Sequence, residues 1–181
     1  MKLDYFRVRY FFYCLFHRNG YDHGRYLKKH GAFHSMGLGC FFQPFKLPAD
    51  AEYIRIGNNV VVASNVDFIC HDVIHHMLNH SETVNTGGYC TYWGTIDIKD
   101  NVFIGSNTTI LSNVTIGSNV VIAAGSLVNR DIPDGSVAAG VPARVVGKVA
   151  DLAETRKKYS ESPLGKMERG ERLKHLWEKK S

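Results

Sequence analysis

The sequence lacks a long apolar segment and any closely spaced pair of cysteines. Its longest uncharged apolar run is Tyr10–Phe16, far short of the roughly 20 residues that a helix needs to cross a bilayer. Arg7 and Arg9 interrupt the apolar N-terminus and no small-residue cleavage site follows, so we expect no signal peptide. The four cysteines, at positions 14, 40, 70 and 90, form no Cys-X-X-Cys motif. We therefore expect free thiols in a reducing cytosol.

Basic residues are scarce in the middle of the chain, whereas both ends carry an excess of them. Residues 1–49 carry eight basic and two acidic side chains, residues 148–181 carry ten and six, and residues 50–147 carry four and nine. Nucleic-acid-binding proteins usually concentrate basic residues on the folded body, so this distribution argues against nucleic acid. It favours a small anionic ligand, or an anionic surface near the termini. The length of 181 residues predicts one domain with a short appendage at each end.

A six-residue repeat runs through the middle of the chain. Over residues 98–133 the first position of every six is aliphatic, at Ile98, Ile104, Ile110, Ile116, Ile122 and Val128. The same frame occurs earlier, at Ile56, Val62 and Phe68. Neither the period of a plain strand nor that of an amphipathic helix produces such a column.

The fourth position of each six explains how the chain turns. It is filled by residues that tolerate left-handed backbone: Asn59, Asn65, Asn101, Asn107, Asn113, Asn119, Gly125 and Asp131. A turn after every short β-prone segment lets three segments close a triangular coil, with the aliphatic column stacked inside. The repeat therefore predicts an all-β core, a parallel β-helix, in preference to an ordinary sandwich with regular turns. It does not fix the hand of the coil.

The flanking segments have a different composition. Residues 1–35 are rich in aromatics and predict two short helices, the second at Tyr21–His30, which we interpret as a helical cap on the first coil. Contact of this basic, aromatic segment with a membrane surface is the less favoured alternative. We predict the β-helix over 36–148, with an inserted loop at about 72–94. Residues 149–181 predict a charged helical extension that breaks near 162–165, with its docking residues at Leu173, Leu176 and Trp177.

Three motifs carry a resemblance to a known family. The uninterrupted repeat is followed by Ala-Gly-Ser-X-Val at 124–128, an Asp-Ile-Pro turn at 131–133 and Ala-Gly-Val-Pro-Ala-Arg at 139–144. Over about 54–148 the chain resembles hexapeptide-repeat acetyltransferases, such as the maltose, galactoside, nodulation-type and capsular polysaccharide O-acetyltransferases. The resemblance implies a left-handed coil, acetyl-CoA as the acyl donor and a homotrimer with its sites between subunits.

His71 matches the catalytic histidine of that family, which ends the row before the inserted loop. A thioester is already activated, so the chemistry needs a base for the acceptor hydroxyl and a donor for the oxyanion, but no covalent nucleophile. Histidine titrates in the range that suits this base. Neighbours on an extended chain point to opposite faces, so we expect a backbone carbonyl or a distant carboxylate, not Asp72, to orient His71. Asp72 is left as a candidate for contact with the acceptor.

The resemblance also implies a cofactor groove between coils. The positions that match it are Gly105, Ser106, Ala124, Asn129, Arg130, Arg144 and Lys148. Ala124 would leave room for the pantetheine arm, and the basic side chains would bind CoA phosphates in a body that is otherwise acidic. Asn129 and Arg130 replace the usual Thr-Lys of the family, which puts the hydroxyl contact in doubt. On the acceptor side, the candidates are Gln43, Tyr89, Tyr92 and Trp93.

We predict an acetyl-CoA-dependent O-acetyltransferase that acts on a saccharide hydroxyl, such as that of a capsular or exopolysaccharide, without a metal. Two alternatives stay open. One is a zinc-dependent, carbonic-anhydrase-like β-helix trimer, suggested by His75, His76 and His80 in the loop, although such sites draw their ligands from separate coils. The other is a non-catalytic β-helix scaffold, which would need neither His71 nor the basic residues of the groove.

Overall fold

Three sheets form the body of the protein, and their strands are parallel except for one antiparallel hairpin at the end of the second sheet. The three complete coils each contribute one strand to every sheet. The structure is a computed structural model and describes residues 2–84 and 87–179. Met1, Asn85, Thr86, Lys180 and Ser181, which belong to the predicted cap, loop and extension, lie outside the described residues.

The first sheet has the strand order β1-β3-β6-β9 and comprises β1 (Ser35–Met36), β3 (Ile54–Ile56), β6 (Ile96–Ile98) and β9 (Val114–Ile116). The second has the order β2-β4-β7-β10-β12-β13 and comprises β2 (Phe41–Phe42), β4 (Val61–Val62), β7 (Val102–Ile104), β10 (Val120–Ile122), β12 (Ser136–Gly140) and β13 (Ala143–Lys148). The third has the order β5-β8-β11 and comprises β5 (Asp67–Phe68), β8 (Thr109–Ile110) and β11 (Leu127–Val128).

The strand register shows that one coil is 18 residues long. Ile98 pairs with Ile116, and Ile104 pairs with Ile122. Across the inserted loop the partners are 42 residues apart instead, as in Ile56 with Ile98, and the register of the coil resumes unchanged. The predicted aliphatic column is confirmed, because all nine of its side chains are at most 7% exposed. These side chains stack into a continuous apolar core, which is the main stabilising contribution of such a fold.

The asparagine column makes the turns. Six asparagines have left-handed backbone, with φ between 52° and 59°, at positions 59, 65, 101, 107, 113 and 119. Their side chains also link the coils, since Asn59 Nδ2 donates to Asn101 Oδ1 at 3.0 Å and Asn101 Nδ2 donates to Asn119 Oδ1 at 3.2 Å. Asp131 is an exception: it is not among the left-handed positions. Its carboxylate accepts the backbone N–H of Thr115 instead, at 2.7 Å.

Two helices precede the first coil: α1 (Lys2–Phe16) and α2 (Gly20–Lys29). The second helix begins and ends one residue before the predicted positions. Its start is fixed by Asn19, whose side chain accepts the backbone N–H of Tyr21. The inner face of α1 buries Tyr10, whose hydroxyl donates to Pro44 O at 2.9 Å, and Cys14. Its outer face leaves large apolar side chains exposed, namely Tyr5, Val8, Phe11, Phe12, Leu15 and Phe16.

The last coil is followed by the antiparallel β12–β13 hairpin and three helices: α4 (Val149–Glu161), α5 (Pro163–Lys166) and α6 (Arg169–Glu178). The break between α4 and α5 lies at Ser162, whose hydroxyl accepts Gly165 N–H. Leu173, Leu176 and Trp177 are 57%, 43% and 63% exposed in the single chain, so the surface on which α6 docks stays a prediction. The helix α3 (Ile74–Asn79) lies in the inserted loop. No helix in the described part of the chain combines the length and hydropathy needed to cross a membrane.

Candidate active site

His71 is paired with a carboxylate from a distant part of the chain. Its Nδ1 lies 2.5 Å from Oδ2 of Asp50, which precedes a short 3-10 turn at Ala51–Tyr53. The two side chains are largely sheltered, at 29% and 13% exposed. When Nδ1 donates to the carboxylate, Nε2 keeps its lone pair and can accept a proton. The expectation of a distant carboxylate is confirmed.

Trp93 packs against the imidazole, and Tyr53 packs against Trp93. The rings of Trp93 and His71 are 4.5 Å apart with a tilt of 35°, and the backbones of these residues form an antiparallel bridge. The ring of Tyr53 stacks on that of Trp93 at 4.9 Å. Trp93 therefore packs against His71, in addition to any contact that it makes with an acceptor. Sequence analysis missed Asp50 and Tyr53 because both precede the regular repeat and no motif marks them.

The cysteine next to His71 is not a nucleophile. Cys70 is buried, and burial raises the pKa of its thiol to about 11, with further contributions from the nearby carboxylates of Asp50 and Glu52. The thiol therefore stays protonated near neutral pH, and its reactive thiolate form is scarce. The site offers an imidazole base and no activated cysteine.

The other loop residues have structural partners. Asp72 Oδ1 accepts Ile74 N–H at 3.0 Å, at the start of α3. Tyr92 is 58% exposed, and its hydroxyl accepts Asn113 Nδ2 at 2.8 Å. The hydroxyl of Tyr89 donates to Val84 O at 2.9 Å. These contacts attach the loop to itself and to the coil.

The loop histidines do not converge on one point. The rings of His75 and His76 lie 4.2 Å apart, and His80 Nδ1 contacts the backbone oxygen of His76. Within residues 2–84 and 87–179, no group of three or more His, Cys, Asp or Glu side chains is arranged to hold a metal ion.

The predicted groove residues Gly105, Ser106, Ala124 and Arg144 lie together where the second sheet ends; we call this the Ser106 edge. Gly125 N–H donates to Ser106 O at 2.8 Å, so Ser106 and Ala124 occupy the same position on successive coils. Ala123 N–H donates to Ala138 O, and Arg144 pairs with the next residue, Ala139.

Gly105 is required by the packing of one coil on the next. A Cβ built there would lie 2.4 Å from Ala124 N. Any side chain at this position would therefore clash with the backbone of the adjacent coil. The close approach of the adjacent coil is therefore sufficient to explain this glycine, and its contact with a cofactor stays a prediction. Gln43 lies in the same column, since its N–H donates to Val62 O and Ala63 N–H donates to Ile104 O. Gln43 is two coils from Gly105, so it lies neither with the other residues of the Ser106 edge nor with His71.

The remaining predicted groove residues lie elsewhere. Asn129 and Arg130 follow the last strand of the third sheet. Together with His71 they form the His71 edge, because Ile69 N–H donates to Ile110 O and Leu111 N–H donates to Val128 O. Lys148 pairs with the buried Ser136, and a bulge offsets the hairpin between Val137 and Ala138. Arg144 and Lys148 therefore point to opposite faces of β13.

The Ser106 edge and the His71 edge are separated by the whole third sheet. Each face of a coil carries about six residues, so the two ends of a face are separated by roughly 15–20 Å at ~3.3 Å per residue. The imidazole and the residues of the Ser106 edge are therefore too far apart within one chain to contact the same pair of reacting atoms.

Comparisons with known proteins agree with this architecture. The family described as bacterial transferase hexapeptide (six repeats) matches residues 95–130. The galactoside O-acetyltransferase of Escherichia coli K12 is 41% identical over 112 residues, which cover 61% of this chain and 52% of that protein. The chain thus spans about half the length of the curated relatives it matches.

Two solved structures are similar over more of the fold. A hexapeptide-repeat acetyltransferase from Vibrio cholerae is 28% identical, with a TM-score of 0.53 over 64% of this chain and 62% of that one. A galactoside acetyltransferase in complex with coenzyme A is 30% identical, with a TM-score of 0.56 over 84% of both chains. With the repeat, the buried column and this coverage of both chains, the protein belongs to the hexapeptide-repeat acetyltransferases.

Proposed function

We propose that this protein is an acetyl-CoA-dependent O-acetyltransferase that acetylates a saccharide hydroxyl by direct attack. The observation that carries the proposal is the pairing of His71 with Asp50, in a sheltered position on the outside of a rigid coil. The relatives named as galactoside acetyltransferases, one of them in complex with coenzyme A, support the donor and the class of acceptor.

His71 acts as the general base in this proposal. Its Nε2 takes the proton of the acceptor hydroxyl while the hydroxyl oxygen attacks the thioester carbonyl. Asp50 holds the imidazole through Nδ1 and stabilises the imidazolium that forms. When the tetrahedral intermediate collapses, the carbon–sulfur bond breaks and His71 returns the proton to the departing thiolate of CoA. The products are the acetyl ester and CoA, and His71 is neutral again.

The groove for acetyl-CoA is proposed at the Ser106 edge. Ala124 is exposed there and carries only a methyl group, so it leaves space beside Ser106, and Arg144 offers a guanidinium for phosphate. Asn129, Arg130 and Lys148 are exposed and are proposed as further contacts to CoA, with Lys148 the weakest because it lies on the other face of β13.

The separation of the two edges supports a site between subunits. His71 of one protomer would face the Ser106 edge of another, and a homotrimer of left-handed coils closes three such sites in a ring. Both the trimer and the hand of the coil are parts of the proposal. The mass of the purified protein in solution tests the trimer directly.

The activity is tested with the full chain, acetyl-CoA and a panel of mono- and oligosaccharides and capsular or exopolysaccharides, by measuring thiol release. Wild type should release CoA only when an acceptor is present. His71→Ala should lower kcat by about 10²–10⁴-fold, the usual contribution of a general base. His76→Ala, a loop histidine that is not part of the site, is the matched control. Unchanged transfer by His71→Ala would refute this mechanism.

A further inference from the structure

The outer side of α1 carries a row of exposed apolar side chains. Spacings of three or four residues place them on one side of the helix. The row, which we call the α1 stripe, consists of Tyr5, Val8, Phe12, Leu15 and Phe16, each of them at least 50% exposed. A contiguous apolar surface of this kind is typical of a contact site, whereas single exposed apolar residues need no explanation.

The opposite side of α1 packs against the body of the protein. Tyr10 and Cys14 are buried there, and Phe6 packs against the same core. These three residues follow one another at intervals of four, so they form a second row on the side of the helix away from the α1 stripe. The cap on the first coil therefore uses only one side of α1, and the α1 stripe is a separate surface.

Two exposed cations border the α1 stripe. Lys46 lines the same cavity as Val8, and Arg18 lines the same cavity as Leu15. Both cations are exposed, and neither forms an ion pair with another described residue. Residues 1–49 carry eight basic and two acidic side chains, whereas residues 50–147 carry four and nine. An anionic surface is therefore attracted to the side of the molecule that carries the stripe and repelled by the body.

An anionic bilayer fits this surface better than a second copy of the chain does. In a symmetric contact between two copies, Arg18 and Lys46 of both copies would share the rim of one apolar interface, where like charges repel. A bilayer offers phosphate groups to the cations and an acyl-chain boundary to the apolar side chains. The hydroxyl of Tyr5 suits the headgroup level, because tyrosine combines an apolar ring with a polar tip.

We propose that the α1 stripe attaches the protein to an anionic lipid bilayer, with α1 lying in the plane of the interface and Arg18 and Lys46 beside the phosphate groups. Lys46 also lines a cavity with Asp67 and Ile69, which share the outer face of the third sheet with His71 because side chains alternate along an extended chain. The attached protein thus holds the His71 edge next to the bilayer. The inference goes beyond the proposed function and does not depend on it, since it concerns binding alone.

The test is co-sedimentation of the full chain with vesicles of equimolar phosphatidylglycerol and phosphatidylcholine, compared with vesicles of phosphatidylcholine alone. Wild type should bind the anionic vesicles more tightly, and high salt should weaken that binding. Phe12→Ser and Phe16→Ser should each weaken it by about tenfold, because each removes an apolar side chain that enters the bilayer. Arg18→Gln and Lys46→Gln should each weaken it by about fivefold.

Two variants at the other end of the chain are the matched controls. Leu173→Ser removes an apolar side chain of α6 that is 57% exposed, and Lys158→Gln removes an exposed cation of α4. Both should bind the anionic vesicles as wild type does. Circular dichroism checks the folding of every variant, and each of the replaced side chains is exposed.

The contrary outcomes are distinct from a failure of the proposed function. Absence of binding to the anionic vesicles overturns the proposal. Binding that Phe12→Ser and Phe16→Ser leave unchanged overturns it too, because it would be adsorption by charge alone. An equal loss in Leu173→Ser would assign the contact to α6, and a lower oligomeric mass in Phe12→Ser with unchanged vesicle binding would assign the stripe to a second copy; either result overturns the proposal. A protein that binds the vesicles as expected but transfers no acetyl group refutes the proposed function alone.

Discussion

The β-helix and the helical segment before it differ in the regularity of their sequences and in the sign of their net charge. In the uninterrupted coils of the β-helix, buried side chains have equivalents 18 residues away, so one local pattern, repeated, produces these coils. In residues 2–34 there is no repeat, and α1 presents one apolar face to the body and another to solvent. The body carries net negative charge and this segment net positive charge. The comparison shows that the regular coils supply a rigid support, and that the proposed base and its carboxylate partner lie where the regular repeat is interrupted or begins.

The largest effect on activity is expected at the junction of the two regions. Asp50→Asn removes the charge that holds His71 in one tautomer and stabilises its protonated form, so kcat should fall by about 10²-fold with the KM for acetyl-CoA nearly unchanged. Steady-state kinetics with varied acetyl-CoA measure this split. Glu52→Gln, an exposed carboxylate in the same turn, is the matched control, and Asp50→Glu should restore part of the rate. Equal losses in Asp50→Asn and Glu52→Gln would show that Asp50 does not position His71.

Within the β-helix, the contact of one coil with the next can be broken at Gly105. A Cβ there would lie 2.4 Å from Ala124 N, and the backbone on both sides of this contact is fixed by the coils. Gly105→Val should therefore lower the free energy of unfolding by about 3–5 kcal/mol, or prevent folding. Gly147→Val, where a Cβ has nothing within 4 Å, should stay within about 0.5 kcal/mol. Urea unfolding compares the two variants, and similar losses would contradict the packing argument.

A smaller effect is expected in the turns. Asn101 has φ of 59°, and its side chain links Asn59 to Asn119. Asn101→Ala loses the link and pays the left-handed strain, so we expect about 1–2 kcal/mol of destabilisation. Asn101→Gly accepts the same φ without strain and loses only the link, so it should be the less destabilised variant. Thermal unfolding compares the stabilities of the two variants, and an Asn101→Gly variant less stable than Asn101→Ala would contradict the argument from left-handed strain.

The smallest effect concerns the thiols. Cys70 is buried with a pKa raised to about 11, whereas Cys90 is exposed. Near pH 8 a thiol reagent should modify Cys90 and leave Cys70 intact, and modification of Cys70 should increase only as the pH approaches 11 or the protein unfolds. Peptide mapping after labelling distinguishes the two cysteines. Labelling of Cys70 at pH 8 in the folded protein would contradict its burial.

The sequence predicts the regular part of the fold because its causes are local. The nine buried column residues and the six left-handed asparagines each act within their own row, and the structure confirms them. The site is less predictable because one of its parts lies outside the repeat. His71 follows from the resemblance, but Asp50 lies 21 positions earlier, before the first row of the repeat, and the strands β3, β4 and β5 lie between the two. Tyr53 and the packing of Trp93 on His71 have the same origin.

One expectation fails for an identifiable physical reason. Asp131 occupies a turn position of the repeat, but it does not have left-handed backbone, and its carboxylate accepts the Thr115 N–H instead.

The surface on which the apolar residues of α6 dock stays a prediction. Leu173, Leu176 and Trp177 are exposed in the single chain, because amphipathic spacing indicates that a face needs cover but not which surface supplies it.

The unbroken register across the inserted loop has a consequence for how this protein can change. Because Ile56 still pairs with Ile98 at a separation of 42 residues, the stacking of the coils does not depend on the length of the inserted loop between them. That loop places Trp93 against the imidazole of His71. Residues can therefore be gained, lost or replaced in the loop, and the proposed preference for an acceptor can change with them, while the coils that hold His71 keep their structure.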